Sequence, residues 1–202
     1  MLVFGFGQAL ARDLPGQGSG IVHPPTDLDN ERAMASVSMG YAVSVTPLQM
    51  AAAVSAVANG GEFVEPRVVR AVIRNGIRAE PPVRIIRRAI SSETASELTR
   101  IMERVVEEGT ARSAQIPGYR VAGKTGTAQI KSLTDEELTV REEYEDVRQE
   151  ESNRDHALFV GYGPIPEPEL TVVVIVENGE SGSAIAAPIA QKLIDSYLSR
   201  NN

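Results

Sequence analysis

Leu170 to Val176 runs Leu-Thr-Val-Val-Val-Ile-Val, a β-branched stretch with no polar face. A run of that kind suits a strand buried in a sheet. Ala157 to Tyr162 has similar character, and the proline-rich segment Pro164 to Pro168 between the two makes a turn. Sequential strands joined by a short turn pair antiparallel. Ala184 to Leu198 follows as a helix, in which Pro188 is tolerated only in the first turn, where its missing N–H has no partner to lose. Tyr119 to Ile130 alternates loosely and supplies a third strand. The chain is therefore α/β (α+β), with antiparallel strands near 119–130, 156–162 and 170–176 and a terminal helix on one face.

Upstream, Leu2 to Gly20 is rich in glycine and reads as loop, continued by His23-Pro24-Pro25, with order beginning near Ser36. Thr46-Pro47 starts a helix: threonine caps the free N–H groups and proline at the first helical position wastes none. The alanine-rich Leu48 to Ala58 fills that helix and Asn59-Gly60-Gly61 ends it. Val64 to Ile73 reads as one strand with Pro66 near its edge, and Asn75-Gly76 as a two-residue hairpin turn before a return strand at Ile77. Ser91-Ser92 opens a helix whose apolar face is Ala95, Leu98, Ile101, Met102, Val105 and Val106, closed by Gly109. Aromatics make up only 4% of the chain, so the core is expected to rest on Val, Ile, Leu, Ala and Met, with Met34, Met39, Met50 and Met102 inside it.

Composition removes several function classes. There is no cysteine, hence no disulfide or thiolate chemistry. No basic patch points to nucleic acid, no metal-ligand spacing involves His23 or His156, and no apolar stretch is long enough to span a bilayer. Net charge is −7, but Lys131 to Asp155 holds ten acids against four bases, so one segment carries most of it. That segment reads as a solvated insertion after the strand at 119–130, or else as a lid or partner-docking loop. His156 beside it reads as a packed or capping histidine rather than a proton shuttle.

The residues with chemistry are Lys124-Thr125-Gly126-Thr127. On a sheet-edge strand, Lys124 projects an ammonium to one side, while Thr125 and Thr127 offer hydroxyls along a shared face. Gly126 leaves the backbone open to an extended peptide, so the tetrapeptide suits a ligand that is strand-like and ends in a carboxylate. Taken alone it also fits an ordinary edge strand with a surface lysine. Gly118 to Thr125 further satisfies Gly-x-x-x-x-Gly-Lys-Thr, the phosphate loop of nucleotide binders. That loop needs a strand before it and a helix starting at the lysine, whereas here a helix precedes and Thr-Gly-Thr follows.

Lys-Thr-Gly is also the third motif of the serine acyl-transferases that react with penicillin, beside Ser-x-x-Lys and Ser-x-Asn. The flanks extend the match in order: Gly40 to Gln49, Ala58 to Gly61, Gly109-Thr110-Ala111, Ala122 to Gln129, His156 to Tyr162 and Ala186-Ala187-Pro188, with Phe4 to Gly7 and Leu14 to Gly16 ahead of them. Over nearly its whole length the chain resembles the C-terminal half of the transpeptidase domain of a high-molecular-weight (class B) penicillin-binding protein. The resemblance implies a partial penicillin-binding transpeptidase or serine β-lactamase-like fold over 1–202, with a loop-rich entry (1–35), a helical part with a hairpin (36–118) and a sheet part (119–202).

It also implies D,D-transpeptidation of the D-Ala-D-Ala stem peptide in cell-wall peptidoglycan synthesis during division or shape maintenance. Lys124 and Thr127 would then be catalytic, and Thr125, Gly126 and Thr127 would bind substrate. The Thr127 N–H would be one oxyanion donor. β-Lactams and other wall-synthesis proteins are the implied partners, no cofactor or metal is implied, and the implied location is the outer face of the cytoplasmic membrane through an N-terminal anchor.

The departure from the family is equally definite. Lysines occur only at 124, 131 and 192, and the residues three before them are Val121, Ala128 and Ile189, so no Ser-x-x-Lys exists. The one Ser-x-Asn, Ser199-Arg200-Asn201, lies on the tail and carries no weight. The resemblance places both missing motifs upstream of residue 1, so the chain reads as a fragment without its nucleophile, inactive alone. A non-catalytic peptide- or partner-binding scaffold is the alternative, and a phosphate-loop nucleotide binder the remote one.

Overall fold

The computed structural model describes residues 1–22, 34–35, 37, 40, 43–128 and 155–201. His23, Met39 and all of the acidic stretch but Asp155 lie outside them. The chain forms two compact units, Met1–Ser96 and Glu97–Asn202.

In the first unit, α1 (Pro47–Ala58) begins as the sequence dictates. Thr46 Oγ1 accepts the Gln49 N–H, and Gln49 Oε1 accepts the Thr46 N–H in return, a complete capping box. Ala52 and Ala56 pack on Phe63 to make a small core with Phe4, Leu10 and Ala89 around it. The expected strand over 64–73 is two. β1 (Glu62–Val64) pairs with an unanticipated β4 (Ile85–Arg88), and β2 (Val72–Arg74) pairs with β3 (Ile77–Ala79) across the Asn75-Gly76 turn, where both residues take positive φ. The break runs from Glu65 to Ala71 and contains Pro66, and the N–H groups of Val68 and Val69 donate to Asp13 Oδ2 at 3.0 and 2.8 Å rather than to a strand.

In the second unit, β5 (Ala122–Ala128), β6 (His156–Gly163) and β7 (Leu170–Val176) form an antiparallel sheet in the order β5-β6-β7. The chain after β7 makes one wide turn at Gly182–Ala186 and then α3 (Ala187–Asn201), with Pro188 in its first turn. α3 lays Ala190, Ile194 and Leu198 over Phe159, Val172 and Val174. β7 is an edge strand among the described residues, buried on one face at Val172 and Val174 while Ile175 is 39% exposed. The continuous apolar run therefore overstates its burial. The core is richer in aromatics than the 4% content suggests, since Tyr162 and Phe159 are among its largest fully buried side chains. Among the described residues the methionines stay out of it: Met34 is 53% exposed, and Met50 and Met102 are half-buried.

Helix α2 (Ser92–Glu107) also departs from the expected face. Ile101 is 54% exposed, while Glu103 is buried. Glu103 meets Arg120, with Nη2 2.9 Å from Oε2 in a hydrogen bond and 2.7 Å from Oε1 in poorer alignment. The carboxylate is held inside by that cation, which sits just before β5.

Candidate functional site

Lys124-Thr125-Gly126-Thr127 lies within β5, at an edge of the described sheet. The strand ends the phosphate-loop alternative. A phosphate cradle needs a loop turning into a helix at Lys124, and here extended backbone runs through it. Gly123 has a packing role instead. It pairs with Gly161, and a Cβ on either would overlap the ring of Phe159, which lies across the two strands.

The register fixes which groups face where. Lys124 and Gly126 pair with Val160 and Leu158, and Thr125 and Thr127 pair with Phe159 and Ala157. The two threonines thus share the face that buries Phe159 and Ala157, but at its rim, where Thr125 is half-buried and Thr127 exposed. Lys124 projects from the opposite face, and its Nζ donates to Thr125 O at 2.6 Å. That contact marks the Thr125 carbonyl as open. In an antiparallel ladder a residue turns its N–H and C=O to the same side, and every second residue does likewise. The N–H and C=O of Thr127 therefore face the open edge too.

The threonine face is supported from behind. Thr110, in the turn after α2, sets its Oγ1 2.8 Å from Thr125 Oγ1. The backbone of Gly182 is pressed against β5 and β6 so closely that a Cβ there would overlap Gly126 O and Leu158 O. Ser113 donates to Ser183 O at 2.6 Å, tying the turn after α2 to the turn before α3. On the Lys124 face, the fully buried Tyr162 pairs with Thr99 Oγ1 at 2.8 Å. Burial pushes its phenol above the usual tyrosine value, and the charge of Glu103 acts in the same direction.

The other singled-out histidine has a structural task. His156 Nδ1 accepts the Asn178 N–H at 3.1 Å and so holds the turn after β7. Among the described residues no group of three or more His, Cys, Asp and Glu side chains is placed to hold a metal ion. Sequence reasoning passed over three contributors: Gly182, Tyr162 and the Glu103–Arg120 pair. A glutamate flanking the apolar helical stripe, three residues before Val106, was the one visible signal among them. Chemically, the edge offers main-chain donors and acceptors, two hydroxyls and one ammonium. It can align an extended peptide and hold an anion, and the sequence contains no Ser-x-x-Lys to supply an activated serine.

Residues 1–195 match the family model of the penicillin-binding protein transpeptidase domain. The chain is 36% identical over 204 residues to stage V sporulation protein D of Bacillus subtilis, covering 96% of this chain and 29% of that protein. It is 36% identical over 211 residues to the peptidoglycan D,D-transpeptidase MrdA of Acinetobacter baumannii, covering 98% and 30%. It thus spans about three-tenths of the length of these curated relatives. Its fold superposes on penicillin-binding protein 3 of Mycobacterium tuberculosis complexed with aztreonam, with a TM-score of 0.80 and 28% identity over 100% of this chain and 45% of that one. It also superposes on penicillin-binding protein A of M. tuberculosis as a ceftriaxone acyl-enzyme complex, with a TM-score of 0.77 and 29% identity over 98% and 42%.

Proposed function

Because the chain belongs to the penicillin-binding protein transpeptidase domain family, we propose that it supplies the acyl-donor-binding edge of a serine D,D-transpeptidase that cross-links peptidoglycan. The observation that carries this reading is the placement of Lys124-Thr125-Gly126-Thr127 on an open sheet edge with both threonines on one rim. A stem peptide ending in D-Ala-D-Ala lies along β5 as an added strand. The hydroxyls of Thr125 and Thr127 hold its terminal carboxylate. The Thr127 N–H, on the open edge, is one of two donors to the oxyanion formed when a serine attacks the penultimate carbonyl. Loss of one such donor costs roughly a hundredfold or more in rate.

Lys124 places a positive charge beside the reacting groups and assists their proton transfers. The attack expels D-alanine, and the acyl group then passes to an amine of a neighbouring strand. The nucleophile is not among these 202 residues, which contain no Ser-x-x-Lys. A β-lactam occupies the same edge as an acyl donor, in keeping with the aztreonam and ceftriaxone complexes of the solved relatives. The reading places the protein in wall synthesis on the outer face of the cytoplasmic membrane. A non-catalytic scaffold would use the same strand edge, and it differs only in that no serine ever reaches it.

Titrating the isotope-labelled chain with diacetyl-Lys-D-Ala-D-Ala tests the edge. The amide signals of Thr125, Gly126 and Thr127 should shift, and much less so with the C-terminal amide of the same peptide. Equal responses to acid and amide, or shifts confined elsewhere, would remove the assignment.

A further inference from the structure

We infer that Thr110 is a positioning residue for the carboxylate site, setting the direction in which Thr125 presents its proton; this rests on the reading of β5 just given. The two hydroxyl oxygens lie 2.8 Å apart, and either can be the donor. A hydroxyl has one proton, so each arrangement leaves a different group facing the ligand. If Thr125 donates to Thr110, it turns lone pairs toward an incoming anion. If Thr110 donates to Thr125, the Thr125 proton is free to point at the carboxylate. An anion at this edge selects the second arrangement, in which the hydrogen bond donated by Thr110 fixes the Thr125 hydroxyl and polarises its O–H toward the ligand.

The scaffold under Thr110 is suited to that task, because its backbone is fixed on both sides. The N–H of Gly109 reaches Arg104 O and Val105 O, and the N–H of Ala111 reaches Val105 O at 3.1 Å. Gly109 itself sits against the helix too closely for a Cβ, which would lie 2.8 Å from Val105 O. Arg112 donates to Glu108 O through both Nε and Nη2, and Gln115 Nε2 donates to Val106 O and Glu107 O at 3.0 and 2.9 Å. The orphan carbonyls at the end of α2 thus hold the turn that carries Thr110. Ser113, three residues on, fastens the same turn to Ser183 O. Thr110 is exposed, so its hydroxyl is not needed to satisfy a buried group. The main-chain bonds around it survive its replacement.

The test compares the parent chain with Thr110→Val and Thr110→Ser in the same titration, using diacetyl-Lys-D-Ala-D-Ala and its C-terminal amide as paired probes. Thr110→Val should weaken the acid by about three- to tenfold, the range expected for one hydrogen bond. It should leave the amide and the melting temperature unchanged, and Thr110→Ser should restore the acid. A Thr110→Val chain that melts as the parent does and keeps the full preference for the acid overturns the inference while leaving the carboxylate site intact. A parent chain with no preference for the acid is a different failure, that of the β5 reading itself. Equal loss of acid and amide binding would make Thr110 merely structural and also counts against the inference.

Discussion

Tyr162 shows how a single residue near the site depends on its surroundings. It is fully buried, its hydroxyl pairs with Thr99, and burial raises its pKa above 10.0, with Glu103 adding to the shift. Folding thus favours the neutral phenol. The stability this gives is fully present below about pH 10 and is lost as the pH rises from there through the folded-state value. An absorbance titration of the parent minus Tyr162→Phe should therefore contain a tyrosinate component above pH 10. A component at or below the usual value would contradict the account. Tyr162→Phe should also cost about 0.5–1.5 kcal/mol in urea unfolding, the worth of one hydrogen bond. Gly123, Gly161 and Gly182 are read the same way: each is where neighbouring atoms leave no room for a Cβ, and a sequence shows only that a glycine is present.

Among the elements, α1 is the most completely written into the sequence. Thr46, Pro47 and the Asn59-Gly60-Gly61 stop lie where the helix begins and ends. Gln49 has a larger role than its place in the capping box suggests. Almost completely buried, it also donates to Gln8 O at 2.9 Å and Ser19 O at 2.8 Å, stitching the N-terminal loops to the helix. Gln49→Ala leaves those carbonyls unsatisfied and removes half the cap, so it should destabilise the chain by about 2 kcal/mol or more, read from chemical denaturation. A change within 0.5 kcal/mol would show that water replaces the side chain freely. The three strands of the second unit and the Asn75-Gly76 hairpin were legible for similar reasons, because period and turn chemistry are local.

What was not legible depends on distant partners. β4 forms because β1 lies opposite it, and the 64–73 run breaks because Asp13 captures two of its N–H groups. The tetrapeptide of the site was readable as a motif. Thr110 was visible only as part of a flanking match, and its bond to Thr125 appears only once the turn after α2 folds beside β5. Glu103 broke the expected apolar face because Arg120, seventeen residues away, balances its charge.

For the molecule as a whole, the chain has two compact units, and the proposed binding edge, β5, lies in the second. Within that unit β6 pairs with β5, Phe159 and α3 back it, and the turns carrying Thr110 and Gly182 support its threonine face. Those features hold the proposed recognition edge in place. We propose above that this edge grips the acyl donor for a serine that is not among these 202 residues. The most direct measurement is fluorescent-penicillin labelling of the isolated chain beside a chimera in which these residues replace the matching segment of stage V sporulation protein D. No covalent label is expected on the isolated chain, and a label is expected on the chimera, slowed by about a hundredfold or more in Lys124→Ala. A label on the isolated chain, or a chimera acylated at the same rate with and without Lys124, would contradict the proposal.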